Sequence, residues 1–172
     1  KDRNMTADVL EEAKIGLDWL LRCNYDNKLL VTQVQDTRDH SGGWRLPEDD
    51  KFRFERPAFL GLGKNLIGIF TAVMAKAAVI WREELNYPEF ADKCLTAAEN
   101  IYSLRNSAPD VDSSGSGHYL DKNYLSKMAL GAAELYFATG REELLTEAMN
   151  YADKAGSDYW WSWGDVSSLS HY

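Results

Sequence analysis

Residues 64–85 read KNLIGIFTAVMAKAAVIWREEL and contain the longest apolar stretch of the chain. Apolar side chains recur there at intervals of three and four residues and form one broad face, made of Leu66, Ile67, Phe70, Val73, Met74, Ala77, Ala78 and Trp81. This spacing predicts a largely buried α-helix. The apolar stretch itself runs from Leu66 to Trp81 and is interrupted by Thr71 and Lys76. It falls short of the roughly 20 residues that cross a bilayer, so no transmembrane helix is predicted.

Helical patterns of the same kind lie on both sides of this segment. They predict helices at 7–22, 89–104, 123–138 and 142–155, and the first turns of another at 166–172. Gly16 lies on the apolar face of the first helix, where its missing side chain could let a second helix approach closely. Gly140, after the helix at 123–138, is a signal for a left-handed helix cap.

The connections between the helices differ in length. Gly140 and Arg141 form a short turn, whereas residues 25–63 and 107–122 form long loops. The one strand-like run is at 29–34, so the predicted class is all-α, built from helical hairpins with one tight and one elaborated end. Function is expected at the elaborated end, because binding residues concentrate on loops that a rigid scaffold positions.

The composition restricts the classes of protein that remain. With 172 residues, 45% of them hydrophobic, the chain is long enough for one domain with a substantial core. Its formal charge of −8 argues against a nucleic-acid partner and favours neutral or cationic ones. Cys23 and Cys94 lack the spacing of a metal or redox motif and are either buried free thiols or a disulfide. The start at Lys1 indicates a processed, trimmed or partial chain and leaves export undecided.

The loop at residues 33–58 carries the strongest functional signal. It holds His40 and Trp44 within the run DHSGGW, together with several acids: Asp36, Asp39, Glu48, Asp49 and Asp50. Two positioned carboxylates could act as acid and base on a glycosidic bond. Loop acids are more often exposed and solvated, however, and a lone histidine is more often structural or on the surface than in contact with a ligand.

Other motifs offer weaker chemistry. The three histidines are dispersed and do not have the spacing of zinc ligands. The run SSGSG at 113–117 has no strand before it and no lysine after it, so it is interpreted as a surface loop and not a phosphate-binding loop. Ser168 and His171 lack a nucleophile elbow. Aromatic residues make up 12% of the chain, and the run WWSW at 160–163 could stack on the apolar faces of sugars.

Taken in order, several motifs resemble glycoside hydrolase family 9, the inverting cellulases. The first helix reads LEEAKIGLDWLL at 10–21, similar to the family's Leu-Asp-Glu-x-x-x-Gly-x-Asp-Trp-Leu-Leu, with Glu11 in place of the usual aspartate. The likeness continues through QV at 33–34, DHSGGW at 39–44, PE at 47–48, ERP at 55–57, SGHYLD at 116–121, AAELYFATG at 132–140 and SWGDV at 162–166. The order and spacing of these motifs make the resemblance specific over nearly the whole chain.

This resemblance implies a fold, an activity and a set of contact residues. The helical hairpins would form part of an (α/α)6 barrel whose long loops line an open cleft for a β-1,4-glucan or a cello-oligosaccharide. His40 and Trp44 match cleft residues that contact glucosyl units, and Tyr119 and Asp121 fall in the next loop that could line the cleft. Arg56 is expected to shape the first loop rather than touch sugar. The family also implies a secreted or periplasmic protein.

Two departures from the family pattern are important. The family's fourth helix often opens with an acidic pair that helps to hold calcium, but the matching positions here are Ser126 and Lys127. No cofactor is therefore predicted, and Lys127 could replace the charge of the ion. The family's catalytic base lies in an Asp-Ala-Gly-Asp motif upstream of the first helix, and its acid is a glutamate far downstream. Neither stretch occurs in these residues.

The leading hypothesis is that residues 1–172 are one central segment of a catalytic domain, incomplete at both ends, that contributes cleft loops to an inverting β-1,4-glucanase. Such a segment is expected to need the remainder of the domain, to be inactive alone, and to leave helix faces unpaired. The alternative is a non-catalytic helical carbohydrate-binding or interaction module. A helical-repeat scaffold is disfavoured because the hairpins share no repeated sequence period.

Overall fold

The computed structural model describes residues 7–52, 54–112, 121–156 and 164–172. The helices in these residues are α1 (Asp8–Cys23), α2 (Arg38–Ser41), α3 (Lys64–Glu83), α4 (Pro88–Ser103), α5 (Leu125–Thr139), α6 (Glu142–Ala155) and α7 (Ser167–Ser170). Short 3-10 turns lie at Pro47–Asp49 and Leu104–Asn106. Each predicted helix is present, and the bounds of the long ones agree with the prediction to within about two residues.

The helix α3 forms the centre of the described core and packs against α4 and α5. Its buried side chains include Ile67, Phe70, Met74 and Trp81. By length and hydropathy alone this 20-residue helix could cross a membrane, contrary to the prediction that the apolar stretch is too short. However, 61% of its most apolar window is buried inside the protein. The apolar face is therefore used for packing between helices.

The helices α3 and α5 run in the same direction and touch backbone to backbone. Asn65 hydrogen-bonds Asp121 just before α5 begins, and Lys76 pairs with Glu134 further along both helices. Between these contacts a Cβ added to Gly68 would lie 2.6 Å from the Met128 nitrogen, and one added to Gly131 would lie 2.6 Å from the Gly68 oxygen. The crossing therefore requires glycine on both helices and sets their relative register.

Short connections join α3 to α4 and α5 to α6, so each pair forms a helical hairpin. Gly140 ends α5 in the left-handed conformation (φ 71°), and its N–H donates to the Tyr136 carbonyl at 2.7 Å, which confirms the predicted cap. Hydrogen bonds also join α6 to the end of α4. Glu147 accepts them from Tyr102 Oη (2.6 Å) and Arg105 Nη2 (2.6 Å). Two helical hairpins thus lie side by side, with α3 and α5 parallel.

A small antiparallel sheet precedes α3 and was only partly predicted. It consists of β1 (Asn24–Tyr25), β2 (Leu29–Val34) and β3 (Ala58–Gly61), in that order. The prediction contained β2 alone, because the sequence AFLG of β3 is too short to show alternation. The pairing of Val34 with Ala58 brings together the two ends of residues 35–57, so the sheet closes the first long loop at its base.

The helix α1 packs on the other elements less completely. Leu17 is buried, but Ile15 and Trp19 are 63% and 49% exposed. An open apolar groove of about 460 Å³ lies between α1 and α3, and residues of α5 and α7 also line it. Gly16 and Leu20 are on its α1 wall. A Cβ at Gly16 would meet no atom within 4 Å, so no helix among the described residues makes the predicted close approach there.

The two cysteines are not bonded to each other. Cys23 and Cys94 are both free and buried. Burial raises the pKa of the Cys94 thiol to about 11, which keeps it protonated at neutral pH. Of the two alternatives that the sequence left open, the structure therefore has free thiols.

Candidate sugar-binding face

Both long loops meet at the N-terminal end of α3. The first loop, residues 35–57, enters from β2 and returns through β3, which is separated from α3 by Leu62 and Gly63 alone. The second loop approaches the same end, because the backbone N–H groups of Lys64 and Asn65 donate to the oxygens of Pro109 (2.9 Å) and Asp110 (3.2 Å). One end of each long loop therefore lies close to the start of α3, as the loop lengths predicted for an elaborated end.

The first loop is held by a ring of four charged side chains, which we call the Asp–Arg ring: Asp39, Arg45, Asp50 and Arg56. Arg45 Nη2 lies 2.5 Å from Asp39 Oδ1 and 3.1 Å from Asp50 Oδ1. Arg56 closes the ring, with Nη2 2.8 Å from Asp39 Oδ1 and Nη1 2.6 Å from Asp50 Oδ2. Arg56 also donates to the Phe52 oxygen at 3.2 Å. These contacts agree with the expectation that Arg56 shapes the loop.

The arginines fix the charge state of the loop acids. Hydrogen bonds from Arg56, partly opposed by burial, lower the pKa of Asp50 to about 2, and the same arginine holds the pKa of Asp39 well below its usual range. A hydrogen bond from Arg38 lowers the pKa of Asp36 to about 2. A general acid must carry a proton near neutral pH. These three carboxylates do not, which argues against an acid role for them on a glycosidic bond.

Removing Arg56 should therefore raise the pKa of Asp50. A carboxyl group with a lowered folded-state pKa stabilises the fold above its unfolded pKa of about 3.9, and the stabilisation is lost as the pH falls toward the folded value. We expect carboxyl-carbon NMR to show an Asp50 midpoint near pH 2 in the wild type. In Arg56→Ala the midpoint should move toward about pH 4. A midpoint near pH 4 in both proteins would contradict the ring.

The ring presents Trp44 to solvent. The indole is 88% exposed, and the residue after it, Arg45, is tied to both carboxylates of the ring. Gly43, immediately before it, has a left-handed φ of 70° that turns the chain. A shallow depression of about 410 Å³ is lined by Trp44, Leu46 and Pro47 beside the ring residues. An exposed aromatic side chain on a braced loop is suited to stacking on the apolar face of a sugar.

The other predicted contact residues have different surroundings. His40 lies in α2, four residues before Trp44 in the sequence, and is exposed. Asp121 is the first described residue after 113–120, and its carboxylate is engaged by Lys127 and by the Asn123 N–H. Tyr119 and the tryptophan cluster at 160–163 lie outside the described residues. Sugar contact by each of these residues stays a prediction.

Sequence reasoning missed Asn65, which fixes the second loop. This side chain is 4% exposed. Its Oδ1 accepts from the Asp112 N–H at 3.0 Å, and its Nδ2 donates to the Asp121 oxygen at 3.3 Å. Asn65 therefore joins the two residues that flank 113–120. The sequence does contain a signal for this role, because Asn65 is an amide side chain in the first turn of an otherwise apolar helix. Buried polar groups in such a position require hydrogen-bond partners.

The calcium site implied by the resemblance does not fit the side chains at the start of α5. Lys127, in place of an acid, directs its ammonium group to the Asp121 carboxylate. Ser126 supplies a buried hydroxyl and no charge. Among the described residues, no group of three or more His, Cys, Asp and Glu side chains is arranged to hold a metal ion. Because the Lys127 ammonium already occupies this position, the side chains around it are poor ligands for a calcium ion.

Comparison with solved structures defines the class of protein. The catalytic domain of CelT from Clostridium thermocellum superposes with a TM-score of 0.76 and 25% identity, over 89% of this chain and 33% of that chain. Endoglucanase CelQ from the same organism superposes with a TM-score of 0.65 and 21% identity, over 91% of this chain and 27% of the other. The helical hairpins are thus part of an (α/α)6-barrel glycoside hydrolase fold.

The family model "Glycosyl hydrolase family 9" matches residues 1–171. The chain belongs to that family. Endoglucanase D of Acetivibrio thermocellus is 28% identical over 179 residues, which cover 98% of this chain and 27% of that protein. The chain therefore spans about a quarter of the length of this curated relative. Family, fold class and relationship to cellulase-type hydrolases agree with what the sequence motifs implied.

Proposed function

We propose that this chain supplies cleft-lining loops to an inverting β-1,4-glucan hydrolase of the endoglucanase type. The observation that carries the proposal is Trp44, an indole 88% exposed on a loop that the Asp–Arg ring braces. The curated relative is named an endoglucanase, and the CelQ structure is described as complexed with cellotriose. A β-glucan or cello-oligosaccharide is accordingly the proposed ligand.

The chemistry is assigned to the remainder of the catalytic domain. In an inverting hydrolase one carboxylate activates a water molecule and a second carboxylic acid protonates the leaving oxygen. The ionised carboxylates of Asp36, Asp39 and Asp50 are paired with arginine, so they fit the bracing of the loop better than either of these roles. The residues of this chain would bind and orient the glucan, with Trp44 and His40 in the first loop and Tyr119 and Asp121 in the second.

The groove between α1 and α3 supports the proposal that other parts of the catalytic domain pack against this chain. It is lined mainly by apolar side chains, and Gly16 leaves room on its wall for a close helix approach. The chain matches 27% of the length of its relative. We therefore propose that further barrel helices cover the groove. By the same relationship we propose a secreted or periplasmic location.

Trp44→Ala should weaken cello-oligosaccharide binding by about tenfold, which corresponds to about 1.4 kcal/mol of lost stacking. The measurement is calorimetric titration with cellotetraose. Trp19→Ala is the matched control, because Trp19 is also exposed but belongs to α1 and not to the loop. We expect its affinity to equal that of the wild type.

Two results would count against the sugar-binding proposal. One is equal binding by the wild type and Trp44→Ala. The other is no binding of any cello-oligosaccharide by a protein that includes the remaining barrel helices. Reducing-end assays on β-glucan with that longer protein separate the hydrolase from a non-catalytic binding module, because the module would bind without releasing new ends.

A further inference from the structure

Lys127 is the one charged side chain among the described residues that is fully buried, with 2% of its surface exposed. It lies in the first turn of α5, next to the backbone contact with Gly68. Transferring an ammonium group from water to a protein interior is costly unless a partner of opposite charge and further hydrogen bonds compensate. A lysine at such a position therefore needs a specific local role.

The ammonium group joins three separate parts of the chain. Lys127 Nζ donates to Asp121 Oδ2, and Asp121 Oδ1 accepts from the Asn123 N–H at 3.2 Å. On the other side lies Gly164, where an added Cβ would be 3.3 Å from Nζ and 3.7 Å from Asp121 Oδ2. The absence of a side chain at Gly164 leaves room for the ion pair. Lys127 thus links α5 to the end of the second loop, and the segment that leads to α7 passes beside this ion pair.

The same ion pair anchors the loop proposed to line the cleft. The oxygen of Asp121 also accepts from Asn65 Nδ2, and Asn65 in turn holds Asp112. The positions of Asp112 and Asp121 are therefore both determined by side chains on the two parallel helices. The attraction between the Lys127 ammonium and the Asp121 carboxylate adds an electrostatic contribution to this arrangement.

Calcium would need six to eight oxygen ligands. Asp121 and Ser126 bring one carboxylate and one hydroxyl, and the ammonium of Lys127 already contacts the carboxylate. The hydroxyl of Ser126 is buried and has no hydrogen-bond partner among the described residues. A divalent ion placed beside Lys127 would be repelled by a positive charge in a poorly hydrated site.

We propose that the Lys127 ammonium is a built-in cation that replaces the calcium ion of the family fold, so that this chain anchors its second loop without metal. The proposal concerns loop anchoring and does not require the sugar contacts of the preceding section. It predicts a metal-independent wild type and a metal-dependent variant when the acidic pair is introduced.

The first test uses the unmodified protein. Thermal unfolding is measured in EDTA, in 1 mM MgCl₂ and in 1 mM CaCl₂, with metal content checked by mass spectrometry. We expect midpoints that agree within about 1 °C and no bound calcium, since a ligand that does not bind the folded state cannot shift unfolding. A midpoint that falls in EDTA and is restored by calcium but not by magnesium would overturn the proposal.

The second test installs the missing ligands. Ser126→Asp combined with Lys127→Glu should bind calcium in a calorimetric titration, and its unfolding midpoint should rise by about 5 to 10 °C at calcium concentrations near 100 times Kd. The control is Ser126→Asp alone, which keeps Lys127 and should show no calcium response. A calcium response in that single variant equal to that of the double variant would contradict the role of Lys127.

A double-mutant cycle tests the ion pair itself. Lys127→Met and Asp121→Asn should each lower the unfolding midpoint, and the combined variant should lose clearly less than the sum of the two losses. Strict additivity would show that the two groups are not coupled. If Lys127→Met does not fold, Lys127→Arg replaces it, because arginine keeps the positive charge. Its unfolding midpoint should be the same in EDTA and in calcium, and a midpoint that rises with calcium would contradict the proposal.

Discussion

Gly68→Val is expected to destabilise the chain by at least about 3 kcal/mol, the largest loss among the variants considered. The valine side chain would enter the space where α3 meets α5, because even a Cβ at Gly68 would lie 2.6 Å from the Met128 nitrogen. The neighbouring atoms are backbone and cannot move away without separating the helices. Urea unfolding followed by far-UV circular dichroism measures the loss.

Comparing Gly68→Ala with Gly16→Ala separates the effect of close packing on the free energy of unfolding from the effect of helix propensity. Both positions lie within helices, where alanine is intrinsically favoured over glycine by about 1 kcal/mol. At Gly16 an added Cβ meets nothing within 4 Å among the described residues, so we expect a gain of about 0.5 to 1 kcal/mol in residues 1–172 measured without the barrel helices proposed to cover that face. At Gly68 we expect a loss of about 2 kcal/mol despite the same propensity. Equal effects at the two positions would show that the α3–α5 crossing is looser than the structure indicates.

Glu147→Ala should cost about 2 to 3 kcal/mol, because it removes the acceptor of two partly buried donors. Tyr102 is 2% exposed, and its hydroxyl donates to Glu147 Oε2 at 2.6 Å. Arg105 donates to the same carboxylate through Nε (2.9 Å) and Nη2 (2.6 Å). Loss of the carboxylate leaves a phenol and a guanidinium without their partner at the junction of α4 and α6. Urea unfolding again gives the measurement.

The acid dependence of stability supplies an independent check on Glu147. Burial opposes ionisation of this carboxyl group, but hydrogen bonds from Arg105 and Tyr102 outweigh it, so the pKa is lowered. The stabilisation is present above the unfolded pKa of about 4.3 and is lost as the pH falls below it. That acid-dependent component should be absent from Glu147→Ala. Asp153→Ala, at an exposed position of α6, is the control and should change stability by less than about 0.5 kcal/mol.

The braced first loop explains how an exposed tryptophan can be useful for binding. A flexible side chain loses conformational entropy when it is ordered against a ligand, and a preorganised one loses less. The Asp–Arg ring holds the backbone on the C-terminal side of Trp44, and the pairing of β2 with β3 holds both ends of the loop. Sugar stacking on Trp44 would therefore require little further ordering of the loop.

The helices and the fold class followed from the sequence because helical periodicity is a local property. The apolar spacing at 64–85 predicted α3, and the Gly140 signal predicted the end of α5, since each depends on residues within a few turns. The order of the short motifs was enough to indicate the family, and the comparisons agree.

The tertiary structure alone decided which polar groups meet. Asp39 pairs with Arg56, 17 residues away, and Asn65 reaches Asp112 and Asp121, which are 47 and 56 residues away. Nothing in local spacing distinguishes these partners from the other charged and amide residues of the loops. Burial of Lys127 likewise depends on the glycine contact between α3 and α5. Periodic burial is therefore readable from the sequence, whereas hydrogen bonds and ion pairs between distant segments depend on how the helices and loops come together in three dimensions.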